Sequence, residues 1–154
     1  MFTRNLHILI RERKVVRPTI LAKRVYGTSE EYAIRKIRRL MNGRIRAVIP
    51  DVIALGRGLG VSASDLAFGD GEEFGEFVEV ENNFCRNMEL YCMHYTSYEL
   101  SKMLYPLKKV RDFNDTRKLR RLVQGATRPR LDDIQNLAMG LGISESVLCF
   151  GEYP

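Results

Sequence analysis

The sequence is short of the residues that most often carry chemistry. It holds two histidines, His7 and His94, and three cysteines, Cys85, Cys92 and Cys149, with no CxxC pair. No Cys/His cluster stands at metal-ligand spacing, so a structural zinc site has no support and no cofactor is expected. An odd cysteine count argues against a disulfide framework and reads as reduced thiols that fill the core. No stretch approaches the roughly 20 apolar residues needed to span a bilayer. The apolar run near the start, Leu6–Ile10, is too short for a signal peptide. A cytoplasmic protein with no membrane partner is the expectation. There is also no Gly-rich phosphate loop, no Ser/His/Asp or Cys/His set in a supporting context, and no pair of carboxylates in an apolar setting. The chain is therefore not expected to be an enzyme.

What is present is an ordinary globular balance. Of 154 residues, 45% are hydrophobic and 29% charged, which excludes wholesale disorder. Lys and Arg total 25 against 19 acids, a formal charge of +6, and this suits a polyanionic partner. Where the cations stand matters more than their sum.

The chain repeats itself. Residues 60–69, GVSASDLAFG, match 142–151, GISESVLCFG, at an offset of 82. The same offset lays IRKIRRLMNG (34–43) on TRKLRRLVQG (116–125), Asp51 on Asp133, and Gly58-Leu59-Gly60 on Gly140-Leu141-Gly142. Upstream, LAKRVY (21–26) matches LSKMLY (100–105) at an offset of 79. Four matches in one order indicate a duplication. The expected organisation is a first copy over 1–69, an acidic linker over 70–82 and a second copy over 83–154. The linker segment Asp70–Glu81 holds six acids, no base and two glycines. It reads as a solvated tether, although the alternation in Phe77–Glu81 hints at a short strand. Each copy, at roughly 75 residues, is near the lower limit for burying its own core. Packing on the other copy, or a homodimer, would add stability.

Helical spacing and cap residues predict five short helices per copy. In copy one they cover about 4–14, 18–26 (opened by Pro18, ended by Gly27), a third capped by Thr28 or Ser29 and ended by Gly43, a fourth from Pro50-Asp51 to Gly60, and a fifth capped by Ser62. In copy two they cover about 82–93, a second capped by Thr96 or Ser97, a third capped by Asn114 or Asp115, a fourth capped by Asp132 or Asp133, and a fifth capped by Ser144. The fold class expected is all-α.

The third helix of each copy carries the sharpest feature. With Ile37 at the centre of the buried face, Ile34, Leu40 and Met41 fall beside it, while Arg35 and Arg39 point nearly opposite. Lys36 and Arg38 lie on the flanks. The second copy repeats the wheel, with Leu119 and Leu122 inside, Arg117 and Arg121 outside, and Lys118 and Arg120 flanking. A solvated surface helix would mix charge signs, because Lys/Arg–Glu pairs lower self-repulsion. Here four cations stand within five residues in both copies. A helix of this kind fits the major groove of double-stranded DNA, where guanidinium groups pair two-pronged with guanine. Arg35, Arg39, Arg117 and Arg121 are the expected base-facing residues. Lys36, Arg38, Lys118 and Arg120, with Arg44, Arg46, Arg128 and Arg130 in the following loops, are the expected backbone contacts.

The order of elements resembles the lambda-repressor and Cro-like (XRE-type) helix-turn-helix family. The closing blocks Leu55–Leu66 and Leu137–Leu148 are similar to that family's LAxxLGVS…L pattern, and LAKRVYG sits where its second helix would. Arg17-Pro18 and Ser97-Tyr98 stand where the family usually places Gln. The resemblance implies two tandem five-helix DNA-binding domains in a phage or bacterial transcriptional regulator, commonly a repressor. Two joined copies would mimic the usual dimer, whose half-sites lie about 34 Å apart. A linker of about 14 residues reaches roughly 46 Å at about 3.3 Å per residue. The alternative is an antitoxin-like or adaptor protein, with one copy on DNA and the other on a protein through Tyr91, Tyr95, Tyr98 and Tyr105.

Overall fold

The computed structural model describes residues 1–15, 17–108 and 113–151. Residues 109–112 and 152–154, which the sequence reading assigned to the second copy, lie outside that range. The described residues form ten α-helices and no strand. They fall into two compact units, Met1–Val80 and Glu81–Pro154.

The first unit begins with α1 (Phe2–Glu12), whose Phe2, Leu6, Leu9 and Ile10 form one buried stripe. Helix α2 (Pro18–Tyr26) starts at a proline, whose missing N–H has no partner to lose in a first turn. It stops at Gly27, where φ is 71°. Helix α3 (Glu31–Met41) buries Ala33, Ile34, Ile37 and Leu40. Helix α4 (Ile49–Leu59) ends at Gly60, also with positive φ. In α5 (Ala63–Phe68) the Ser62 hydroxyl accepts from Asp65 N at 3.3 Å, satisfying one orphan donor of the first turn. Helix α2 packs on α3 and α4, α4 on α5, and α1 on α3 and α5.

The second unit holds α6 (Phe84–Cys92), α7 (Ser97–Leu104), α8 (Phe113–Val123), α9 (Leu131–Leu141) and α10 (Glu145–Phe150). Its packing follows the same order: α7 on α8 and α9, α9 on α10, and α6 on α8 and α10. Thr96 caps α7 in a reciprocal box, its hydroxyl accepting from Glu99 N while Glu99 accepts from Thr96 N at 2.7 Å. The bond from Thr96 N, and then one donated by the Thr96 hydroxyl at 2.8 Å, hold the Glu99 carboxyl below its usual range. Ser144 caps α10 through Val147 N at 3.2 Å.

A pair of buried asparagines ties the first and last helix of each unit together. Asn5 Nδ2 donates to the carbonyls of Asp65 (3.1 Å), Leu66 (3.4 Å) and Gly69 (2.7 Å) at the end of α5. Asn87 Nδ2 donates to Val147 (3.2 Å), Leu148 (3.1 Å) and Gly151 (3.0 Å) at the end of α10. Every member of the second set lies 82 residues beyond its counterpart in the first.

Several helix edges differ from expectation. Helix α1 runs two residues earlier and ends near Lys14, a non-glycine residue at φ 53°. Helix α6 is shorter at both ends than 82–93. The Thr28 hydroxyl accepts from Glu30 N at 3.2 Å, so it shapes the turn while Glu30 takes the cap position of α3. Asp115 and Asp133 fall inside the first turns of α8 and α9; Asp133 reaches back to Arg130 N at 3.2 Å.

The acidic segment belongs largely to the first unit. Ser62 N donates to Gly75 O at 2.8 Å, Gly75 N donates to Asp65 Oδ2 at 2.8 Å, and Val61 pairs with Glu76 in an isolated antiparallel bridge. Glu79 takes a two-pronged contact from Arg57, whose guanidinium also lies 5.8 Å from the Phe77 ring centre. The strand suggested for Phe77–Glu81 does not form; the single bridge falls just before it, at Glu76, where the segment meets the short edge at Val61.

Among the cysteines, Cys149 is buried, Cys85 half-buried and Cys92 exposed, all as free thiols. Burial, then the Glu89 carboxylate, raises the Cys85 and Cys92 thiols, so both stay protonated. Core filling describes Cys149 and only part of Cys85. Cys92, at the open end of α6, fills nothing.

Candidate nucleic-acid interface

The candidate surface is the outer face of α3 and of α8. In the first unit α2 and α3 are joined by the short turn 27–30. Gly27 supplies its left-handed residue without the steric cost a Cβ would bring. In the second, α7 and α8 are separated by residues 105–112.

Each helix has an apolar back and a cationic front. Ile37 and Leu40 are fully buried, as is Leu122, and Leu119 is almost so. Arg35, Arg38 and Arg39 are exposed on α3, and Arg117, Arg120 and Arg121 on α8. Arg35 stands 3.9 Å from Glu31 one turn earlier, with both side chains about two-thirds exposed (69% and 66%). Such a pair is too solvated to commit the guanidinium. Tyr32, Arg35 and Arg39 line one shallow groove with Glu31, Lys36 and Ile45.

Lys36 and Lys118, grouped by the wheel with the backbone contacts, are occupied inside their units. Lys36 Nζ bonds the buried Asp51 carboxylate of α4 and lies 5.3 Å from the Tyr26 ring centre. Lys118 Nζ bonds Asp133 at 2.8 Å and lies 5.1 Å from the Tyr105 ring centre. The lysine side chain leaves its helix on the flank that faces the neighbouring helix pair, where a carboxylate in low dielectric captures it. Burial, then the Asp51 charge, pushes the Tyr26 phenol well above its ordinary value, keeping it neutral. For Lys118, burial works against the charged form, but the hydrogen bonds and charges of Asp133 and Tyr105 together outweigh it and raise the ammonium. Each Lys–Asp–Tyr set fixes the rotation of the basic helix about its own axis, and hence which arginines face out.

The basic loops are drawn back onto the ends of these helices. Arg44 N and Ile45 N donate to Arg39 O at 2.9 and 3.3 Å, and Thr127 N donates to Arg121 O at 3.0 Å. Arg44, Arg46, Arg128 and Arg130 are all exposed, whereas Ala47 and Pro129 between the helices are buried. The structure thus leaves the helix arginines and the loop arginines of each unit exposed, with each loop bonded back to the end of its basic helix, and takes the two lysines out of the set.

Two exposed aromatics escaped the sequence reading. Tyr32 is 64% and Phe113 75% exposed, both in the first turn of the basic helix. Their signal was an apolar residue on the charged side of the wheel. Among the described residues no group of three or more His, Cys, Asp or Glu side chains could hold a metal ion. No helix there is long and apolar enough to cross a membrane. Comparison with protein-family models, curated proteins and solved structures finds no match to this chain.

Proposed function

We propose that the chain is two tandem copies of a five-helix, lambda-repressor-like helix-turn-helix domain. On this reading it is a transcriptional regulator, a repressor, that binds double-stranded DNA sequence-specifically through α3 and α8. One observation carries the reading. In each unit three exposed arginines stand on one basic helix, two opposite its buried stripe and one on the flank, and loop arginines follow its end. The shared packing order, the two asparagine ties and the two Lys–Asp–Tyr sets support the duplication. Arg35, Arg39, Arg117 and Arg121 face bases, and Arg38, Arg120 and the loop arginines hold phosphates.

Selection of bound duplexes from a random pool tests this. Enrichment of a defined site is expected. Arg39→Ala with Arg121→Ala should abolish preference for that site and leave weak, salt-sensitive binding. Parent-like binding by the double variant would remove these helices from the readout.

A second reading is favoured by the apolar surface of the second unit, where Met93 (76% exposed), Tyr98 (53%) and Met139 (69%) face solvent. There that copy holds a protein partner, as in an antitoxin or adaptor, and only α3 meets DNA. Two engaged basic helices give a steeper fall of affinity with salt than one, so the slope separates the readings.

A further inference from the structure

The two basic helices share their arginines and differ in the first turn. Place α8 on α3 at the offset of 82. Arg35, Arg38 and Arg39 coincide with Arg117, Arg120 and Arg121, but Glu31-Tyr32 coincides with Phe113-Asn114. All four first-turn side chains are exposed. On the wheel Tyr32 and Asn114 stand about 140° from the centre of the buried stripe, beside Arg39 and Arg121. Tyr32 shares a groove with Arg35 and Arg39. The position is therefore part of the arginine face and not of the core.

The chemistry at that position is opposite in the two units. Glu31 is an acceptor, suited to the cytosine amino group, and Tyr32 adds a ring and a hydroxyl. Phe113 is apolar and suits the thymine methyl group, while Asn114 suits the two-pronged edge of adenine. Glu31 also stands within reach of Arg35, whereas the residue one turn before Arg117 is the uncharged Phe113. In a helix lying in the major groove, first-turn side chains are among those that reach base edges.

We infer that the chain recognises an asymmetric DNA site, made of two half-sites that share the guanines met by the arginines and differ at the first-turn position. The α3 half-site carries a G·C pair there, with its cytosine facing Glu31. The α8 half-site carries an A·T pair. This rests on the DNA-binding reading above and adds that the two copies have diverged in what they read. The diverged positions are solvent-exposed, so burial in the core does not account for their difference.

The experiment selects bound sequences from a random duplex pool with the full chain, with Glu31→Phe/Tyr32→Asn, and with the reciprocal Phe113→Glu/Asn114→Tyr. The parent should yield two unlike half-sites. The first variant should yield two A·T-containing half-sites, and bind the parent site about tenfold more weakly than its own. The reciprocal variant should yield two G·C-containing half-sites. Two identical half-sites from the parent, a single half-site, or variants that keep the parent motif would overturn the asymmetry while leaving DNA binding standing. No enrichment with any of the three would overturn the DNA reading and the asymmetry together.

Discussion

Single side chains separate what holds each unit from what it presents. Asn5 donates to three carbonyls at the end of α5, of which Asp65 O also accepts from Gly69 N. Asn5→Ala should cost about 1–3 kcal/mol in urea unfolding, and Asn87→Ala a similar amount, because buried acceptors lose their donor. Arg35→Ala, at an exposed position, should stay within about 0.5 kcal/mol of the parent in the same measurement. The lysines behave like the asparagines. Lys36→Ala strands the Asp51 carboxylate in the interior and should destabilise by about 3 kcal/mol, the low end for a broken buried pair because Lys36 keeps some water. Lys118 adds a pH signature. Its folded value is raised above the ordinary 10.5, so its contribution is complete below that value and is lost as pH rises through the higher folded one. Thermal melts should therefore show an alkaline loss that Lys118→Met lacks. The wheel alone could not find these roles, since it gives a direction from the helix axis and not what waits there. The missing clue was the matched acid: Asp51 and Asp133 each follow their lysine by 15 residues. The asparagines were hidden because NLHILI and NMELYC agree in little else.

Elements were legible where a cap or a stripe defines them. Pro18, Gly27, Gly60, Ser62, Thr96 and Ser144 mark boundaries that the structure keeps, because each solves a local problem of unpaired N–H or C=O groups. Acids near a helix start misled, since a first-turn carboxylate and a cap carboxylate look alike in sequence. The acidic segment misled further: composition shows that it is polar, but not that Gly75 and Glu76 meet the one edge left open at Val61-Ser62. The helix faces were readable because the period of 3.6 sorts them; what an exposed arginine would meet is not in that period. For the loops the expectation is plain. Arg44→Ala or Arg128→Ala should weaken every DNA sequence alike and lower the salt slope by about one. Anisotropy titrations at several salt concentrations measure it, and a changed sequence preference would move that arginine to the base-reading set.

For the whole molecule, the division at Val80–Glu81 makes a claim about fragments. Residues 1–80 should fold alone, with helical circular dichroism and a cooperative melt. Residues 1–69 should melt at a lower temperature, because the contacts of Gly75, Glu76 and Glu79 are gone. Equal melting of the two fragments would reduce the acidic segment to a tether.

The paired asparagine ties have a further consequence, for tolerance to mutation. On the duplication proposed above, the two units began alike and each is free to differ where its own packing restrains nothing. Asparagine stands at both 5 and 87, although leucine at 6 is matched by methionine at 88 and histidine at 7 by glutamate at 89. A scan of all single substitutions should therefore find position 87 nearly as intolerant as position 5, with glutamine failing along with alanine, since one added methylene misplaces the amide. Exposed glutamate 89 should accept most replacements, and histidine 7 more than asparagine 5, since its one bond, to Met41 O at 2.8 Å, is exposed. Such a map would be drawn twice over in one experiment, and each half would serve as the control for the other.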